Sequence, residues 1–81
     1  MSKREDLKAW IIDALRAHGG SATLIEVCQH IWKHHEGELR SSGNLFYTWQ
    51  YDVRWAAQAL RDNGALRPVH GSRSRLWELA K

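Results

Sequence analysis

Apolar side chains recur at spacings of three and four residues along three stretches of the chain, and glycine, serine or asparagine separates those stretches. In the first, Leu7, Trp10, Ile11, Ala14 and Leu15 fall on one stripe of an amphipathic helix. Ser2 and Glu5 fit a capping box, so the spacing predicts a helix over Ser2 to His18 that ends at Gly19-Gly20. Ser21-Ala22 is a short extended link able to supply a small strand. Thr23 and Glu26 form a second capping box, and a helix is predicted from Leu24 to about His35. Its buried set is Leu24, Val27, Cys28 and Ile31, with Trp32 or His35.

The periodicity then lapses. Residues Glu36 to Phe46 include EGELRSSGN and predict a loop of about ten residues, long for a domain of this size. A third helix is predicted from Tyr47 or Thr48 to Asn63, with Gly64 as its cap. At 100° per residue from Val53, the side chains of Trp49, Val53, Ala56, Ala57 and Leu60 lie within about 40° of one direction and define a core face. Tyr51, Trp55, Gln58 and Asp62 project oppositely, flanked by Tyr47, Arg54 and Arg61. A helix that needs only to bury a stripe has no use for so many aromatic, amide and guanidinium groups on its other side.

The remaining residues change period. Val69 on one side, and the alternating Trp77 and Leu79 on the other, suggest strands around the turn sequence His70 to Arg75. Pro68 places its strand at an edge or a bulge. The predicted architecture is therefore mainly α with a small β-sheet: a winged helix-turn-helix in one domain, 1–81, running helix, short strand, helix, helix, β-hairpin wing.

Composition changes this picture in two ways. The 81 residues include five tryptophans, which supply apolar area to a core that cannot be large. Cys28 is the single cysteine, so no intramolecular disulfide forms, and a reducing cytoplasm is the expected compartment. The N-terminal residues alternate in charge and do not read as a signal peptide, and no stretch reaches the length of a membrane span. Net charge is +3, but it is unevenly placed. Residues 1–39 carry five basic and six acidic side chains, whereas residues 40–81 carry seven and three. That asymmetry favours a polyanionic partner, nucleic acid before membrane.

The expected partner is double-stranded DNA, with the third helix in the major groove and the hairpin on the backbone. Arg54 and Gln58 are spaced i, i+4 and would address purine edges from one helix face. Thr48, Gln50, Tyr51 and Arg61 extend that surface. Trp55 either joins it or packs under the hairpin or the long loop. Arg73, Ser74 and Arg75 at the hairpin tip suit phosphate contact, and Arg40 in the loop is a further candidate for the backbone. The alternative is a protein-interaction or dimerisation module that uses Trp55, Tyr51, Tyr47 and Trp32 as an aromatic patch.

The run WQYDVRWAAQALRDNGAL with the later RLWEL, and the earlier GGSATLIEV, resembles the N-terminal winged-helix domain of Mrr-type restriction endonucleases and related small prokaryotic proteins. The matching positions include Trp49, Val53 to Ala56, Leu60, Gly64 to Leu66 and Trp77. The resemblance implies a winged helix that binds DNA, in some cases modified DNA, for an attached or associated nuclease or regulatory partner. No carboxylate–lysine cluster follows, so the cleavage function does not carry over.

Catalysis and cofactors are not expected. Asp13, Glu26 and Asp62 fall on separate helices, and neither a nucleophile–base pair nor a glycine-rich phosphate cradle appears. His30 and His34 have a spacing that two metal ligands can share, with His35 adjacent. No CxxC pair accompanies them, however, and Cys28 points to the core, so the expectation is surface histidines and no metal.

Overall fold

The computed structural model describes residues 4–68 and 76–80. Three helices dominate these residues: α1 (Asp6–Ala17), α2 (Leu24–Arg40) and α3 (Leu45–Asp62). A two-stranded antiparallel sheet joins β1 (Ser21–Thr23) to β2 (Leu76–Glu78), with Ala22 opposite Trp77. The other edge of β2 is also engaged: Leu66 bridges to Leu79, and the Arg67 amide donates to the Glu78 carbonyl at 2.9 Å. Val69, the turn and its tip fall outside the described residues, so the first limb of the expected hairpin is seen only at its base.

The predicted stripes of α1 and α3 are buried in the core, whereas of the set expected for α2 only Val27 and Ile31 are buried, with Leu24, Cys28, Trp32 and His35 half-buried at its margin. Leu7, Trp10, Ile11, Ala14 and Leu15 from α1 meet Val27, Ile31 and Leu39 from α2. Leu45, Trp49, Val53, Ala56, Ala57 and Leu60 come from α3, and all are buried. The alanines at 56 and 57 let the helices approach closely, and a larger side chain there would have to displace its neighbours. Ala22 and Leu66 seal the sheet end.

Two chain reversals depend on glycine. Gly19 has φ 79°, and the following Gly20 amide reaches back five residues to the Leu15 carbonyl at 2.7 Å. Gly64 has φ 85°, and the following Ala65 amide closes on Leu60 at 2.8 Å. Both are Schellman-type endings that need a left-handed residue. At the start of α2 the Thr23 hydroxyl accepts from the Glu26 amide at 3.2 Å, while the Glu26 carboxylate accepts from the Thr23 amide at 2.9 Å. This reciprocal cap holds the Glu26 carboxyl below its ordinary value, chiefly through the Thr23 backbone donor.

Three expectations need correction. First, α1 starts at Asp6 with Glu5 as its N-cap and no side-chain cap bond, and Ser2 is outside the described residues. Second, α2 does not end near His35. That residue leaves helical geometry (φ −129°, ψ 18°), but the chain resumes a helical course to Arg40. The His35 ring stacks on Trp10 at 4.0 Å and its Nδ1 pairs with Glu38 at 2.8 Å. These contacts hold the kink, and the turn beyond it buries Leu39 completely. Third, the long loop shrinks to Ser41–Asn44, and α3 begins at Leu45. The Ser42 hydroxyl donates to the Glu38 carbonyl, which satisfies a buried polar group inside that tight corner. No helix among the described residues is long and apolar enough to cross a membrane.

Candidate nucleic-acid interface

The outward face of α3 carries most of the residues singled out in the sequence. Tyr47 and Tyr51 are 82% and 78% exposed, and Thr48, Gln50, Arg54 and Gln58 are exposed as well. Arg54 sits between two hollows. One, of about 740 Å³, lies along the α2–α3 junction and is lined by Ile25, Cys28, Gln29, Trp32, Gln50 and Tyr51 among others. The second, of about 650 Å³, is bounded by Thr23, Ile25, Gln58, Arg61 and Trp77. Arg54 lines both and so lies on the ridge between them. The first turn of α2 and strand β2 thus stand beside the same face of α3.

The side chains on this face differ in how freely they can meet a partner. Gln58 Nε2 donates to Asp62 at 3.0 Å, so a new acceptor must displace that bond. The Thr48 hydroxyl donates to Asp52 at 2.7 Å. Arg61 is half-buried, with its guanidinium carbon 5.6 Å from the centre of the Trp77 ring. Its Nε is buried and has no hydrogen-bond partner among the described residues, so the outer guanidinium nitrogens carry its remaining donor capacity. Burial pushes the Cys28 thiol up, while the Arg54 charge works in the opposite direction. That is the behaviour of a small core-edge hydrophobe, as its helical position predicts.

Two of the candidates have partners that the sequence did not suggest. Trp55 is half-buried, and the turn of the expected hairpin lies outside the described residues. The Arg4 guanidinium lies 4.1 Å from the centre of its ring and the Lys8 ammonium 5.1 Å, the first from just before α1 and the second from its first turn. Arg40 belongs to the last turn of α2 and not to a loop. It pairs with Glu36 at 2.7 Å and lies over Trp32 and Phe46 at 5.3 and 5.7 Å. Arg73, Ser74 and Arg75 are outside the described residues.

The structure adds groups that the sequence did not mark. Ile25, 68% exposed, and Gln29 join the hollow from α2, one helical turn apart on the same face. Their i, i+4 spacing could have flagged them once the helix was placed. Arg4 and Lys8 had no such signal, because their contact with Trp55 spans almost fifty positions of the chain. Elsewhere, His18, His30 and His34 approach one another, with ring centres 6.4 Å apart for His18–His30 and 4.2 Å for His30–His34. Among the described residues, no group of three or more histidine, cysteine or carboxylate side chains is arranged to hold a metal ion.

Set against known proteins, the chain matches no family model, and comparisons with curated proteins and with solved structures find no match either.

Proposed function

We propose that this protein is a DNA-binding winged-helix domain, with α3 as the helix that enters the major groove and the segment after Leu66 as its wing. The observation that carries this reading is Arg54. It is exposed on the ridge between two hollows, beside Gln58 and Arg61, where the first turn of α2 and strand β2 flank the same helix face. A B-DNA major groove of about 12 Å admits one helix, and guanidinium and amide donors suit the purine edges inside it. The strand connectivity supports the same architecture, because β2 lies between β1 and the Leu66–Arg67 segment. The likeness of Trp49 to Leu66, and of Trp77, to the N-terminal domain of Mrr-type restriction endonucleases points in the same direction. We read the chain as a binding module without catalysis of its own.

An aromatic protein-contact patch is the less favoured use of this surface. Trp32 is stacked on Trp49, with ring centres 6.0 Å apart and an interplanar angle of 10°, and Trp55 is covered by Arg4. Both tryptophans are thus half-buried against the protein's own side chains, and the open part of the patch is reduced to Tyr47 and Tyr51.

The test is a salt titration of binding to a random-sequence DNA duplex, run beside sedimentation of the free protein. Duplex binding should be micromolar or tighter at low salt and weaken steeply as salt rises, and Arg54→Ala should reduce it. Salt-tolerant self-association with no duplex binding would replace the DNA reading with the protein-contact one.

A further inference from the structure

The outward face of α3 has two flanks, and only one of them faces α2 and the sheet. Arg54 and Trp55 project about 100° apart around the helix, and Tyr51 and Gln58 project between those two directions. On the Arg54 side stand Arg61 and Trp77. On the Trp55 side stand Arg4, just before α1, at 4.1 Å from the ring centre, and Lys8, in its first turn, at 5.1 Å. The exposed ridge of α3 is therefore bordered by cations along both edges.

We propose that Arg4, held against the face of Trp55, forms a backbone-phosphate contact on the α1 flank of α3, opposite the flank that carries Arg54. The proposal rests on the DNA-binding reading and extends it to a part of the chain outside the helix-turn-helix and the wing. A helix with its side chains is about 10–12 Å across, close to the width of the major groove. When such a helix lies in that groove, each flank faces one phosphate strand. A guanidinium stacked on a tryptophan keeps its in-plane N–H donors pointing outward, and those donors match phosphate oxygens. The tryptophan restricts a long, flexible side chain to one region, so less entropy is lost when phosphate binds. Trp55 thus acts as a platform that positions Arg4 and does not itself stack on a base.

The neighbouring charges decide which cation matters. Lys8 pairs with Glu5 at 2.8 Å, so part of its charge is already compensated. Asp52, on the same side of α3, is engaged by the Thr48 hydroxyl at 2.7 Å. Asp6, in the first turn of α1, is engaged too. Arg4 is exposed and is the principal contact; Lys8 adds a smaller share.

The experiment measures binding of the full chain to a random-sequence duplex by fluorescence anisotropy over a salt series. The proteins are the wild type, Arg4→Ala, Trp55→Leu, Trp55→Phe, the Arg4→Ala/Trp55→Leu double variant and Arg54→Ala. Losing one phosphate contact lowers the slope of log affinity against log salt by about 1, and Arg4→Ala is expected to do so with a several-fold weaker Kd. Trp55→Leu should resemble Arg4→Ala, the double variant should be no worse than either, and Trp55→Phe, which keeps a ring, should stay near wild type. This non-additivity separates positioning from a structural role, since general destabilisation would add to the loss of Arg4. Melting curves establish that each variant is folded, and if Trp55→Leu is not, Arg4→Ala and Trp55→Phe decide the matter. A wild-type slope in Arg4→Ala, with Arg54→Ala still weakened, overturns this proposal and leaves the DNA reading standing. Absence of duplex binding by the wild type overturns both.

Discussion

The two faces of α3 use one helix for opposite purposes. Inward, Trp49, Val53, Ala56, Ala57 and Leu60 are buried, and each is the size its neighbours leave room for. Outward, Tyr51, Arg54 and Gln58 are exposed, and among the described residues packing does not account for their size or chemistry. A residue that fills a core is constrained by shape, and substitution there is read as stability. A residue held out into solvent has no such constraint, so a costly choice such as a tyrosine or an arginine points to something outside the chain. The contrast predicts that mutations on the two faces separate into distinct measurements.

Leu60→Ala is the strongest challenge to that separation. Leu60 is 3% exposed, and the truncation should cost about 2–5 kcal/mol of folding stability. A change of that size lowers the melting temperature of a domain this small by roughly 10 °C or more. Duplex affinity, referred to the folded fraction, should be unchanged. A direct loss of affinity with intact stability would place Leu60 in the wrong class and break the comparison.

Arg54→Ala is the mirror experiment. Stability should stay within about 0.5 kcal/mol, because the side chain is exposed. Duplex binding should weaken by about 1–3 kcal/mol if Arg54 reads a base edge, with a preference among sequences that flattens. If it contacts phosphate instead, the loss should be uniform across sequences, with a lower salt slope. The two outcomes sharpen what the outer face does without disturbing the inner one.

Thr23→Ala tests the boundary between structure and contact. Thr23 caps α2 and also borders the hollow that holds Arg54 and Gln58. Loss of the cap should cost about 1 kcal/mol in thermal or denaturant unfolding. Affinity should change little if its role is only to start the helix. The same cap has a pH signature. Because the Glu26 carboxyl is held low in the folded chain, its contribution is complete above the ordinary carboxylate range and is lost as pH falls through its lowered value. Glu26→Gln should therefore lose stability less steeply in acid, whereas Thr23→Ala, which keeps the backbone donor, should retain most of that slope.

The smallest expected effect is at His30. Burial is the main cause of its lowered value, with repulsion from His34, His18 and His35 adding to it and Asp13 opposing. The folded chain resists proton uptake there, so the associated stability is present above the ordinary imidazole range and declines as pH drops below it. Melting temperature should decrease modestly from about pH 7 to about pH 5, and His30→Gln should flatten that slope.

Much of the fold was legible because local signals agreed with one another. The stripes of α1 and α3, the Thr23–Glu26 cap and the two glycine endings are short-range patterns, and each formed as the sequence predicts. The kink was not legible. Gly37 and the polar residues around it erased the periodicity of EGEL, although Ile31, His35 and Leu39 keep a four-residue spacing, and Glu36 and Arg40 form an i, i+4 pair. What holds His35 at the kink is its long-range stack on Trp10, which no local window contains. The candidate site divides in the same way. The outward position of Arg54 and Gln58 follows from helical angles alone. The cover over Trp55 depends on where α1 starts, and the hollows depend on how α2 meets α3, so both required coordinates.

The most direct measurement of the central claim is amide chemical-shift mapping of the full chain with a random-sequence duplex, at low and at raised salt. Shifts concentrated at Gln50, Tyr51, Arg54, Gln58 and Arg61, with the helix-lining residues of α1 and α2 on the far side unmoved, and fading as salt rises, are the predicted result. Perturbations centred on the outer surface of α1 and α2 around His18, His30 and His34, or shifts that ignore salt, would contradict it.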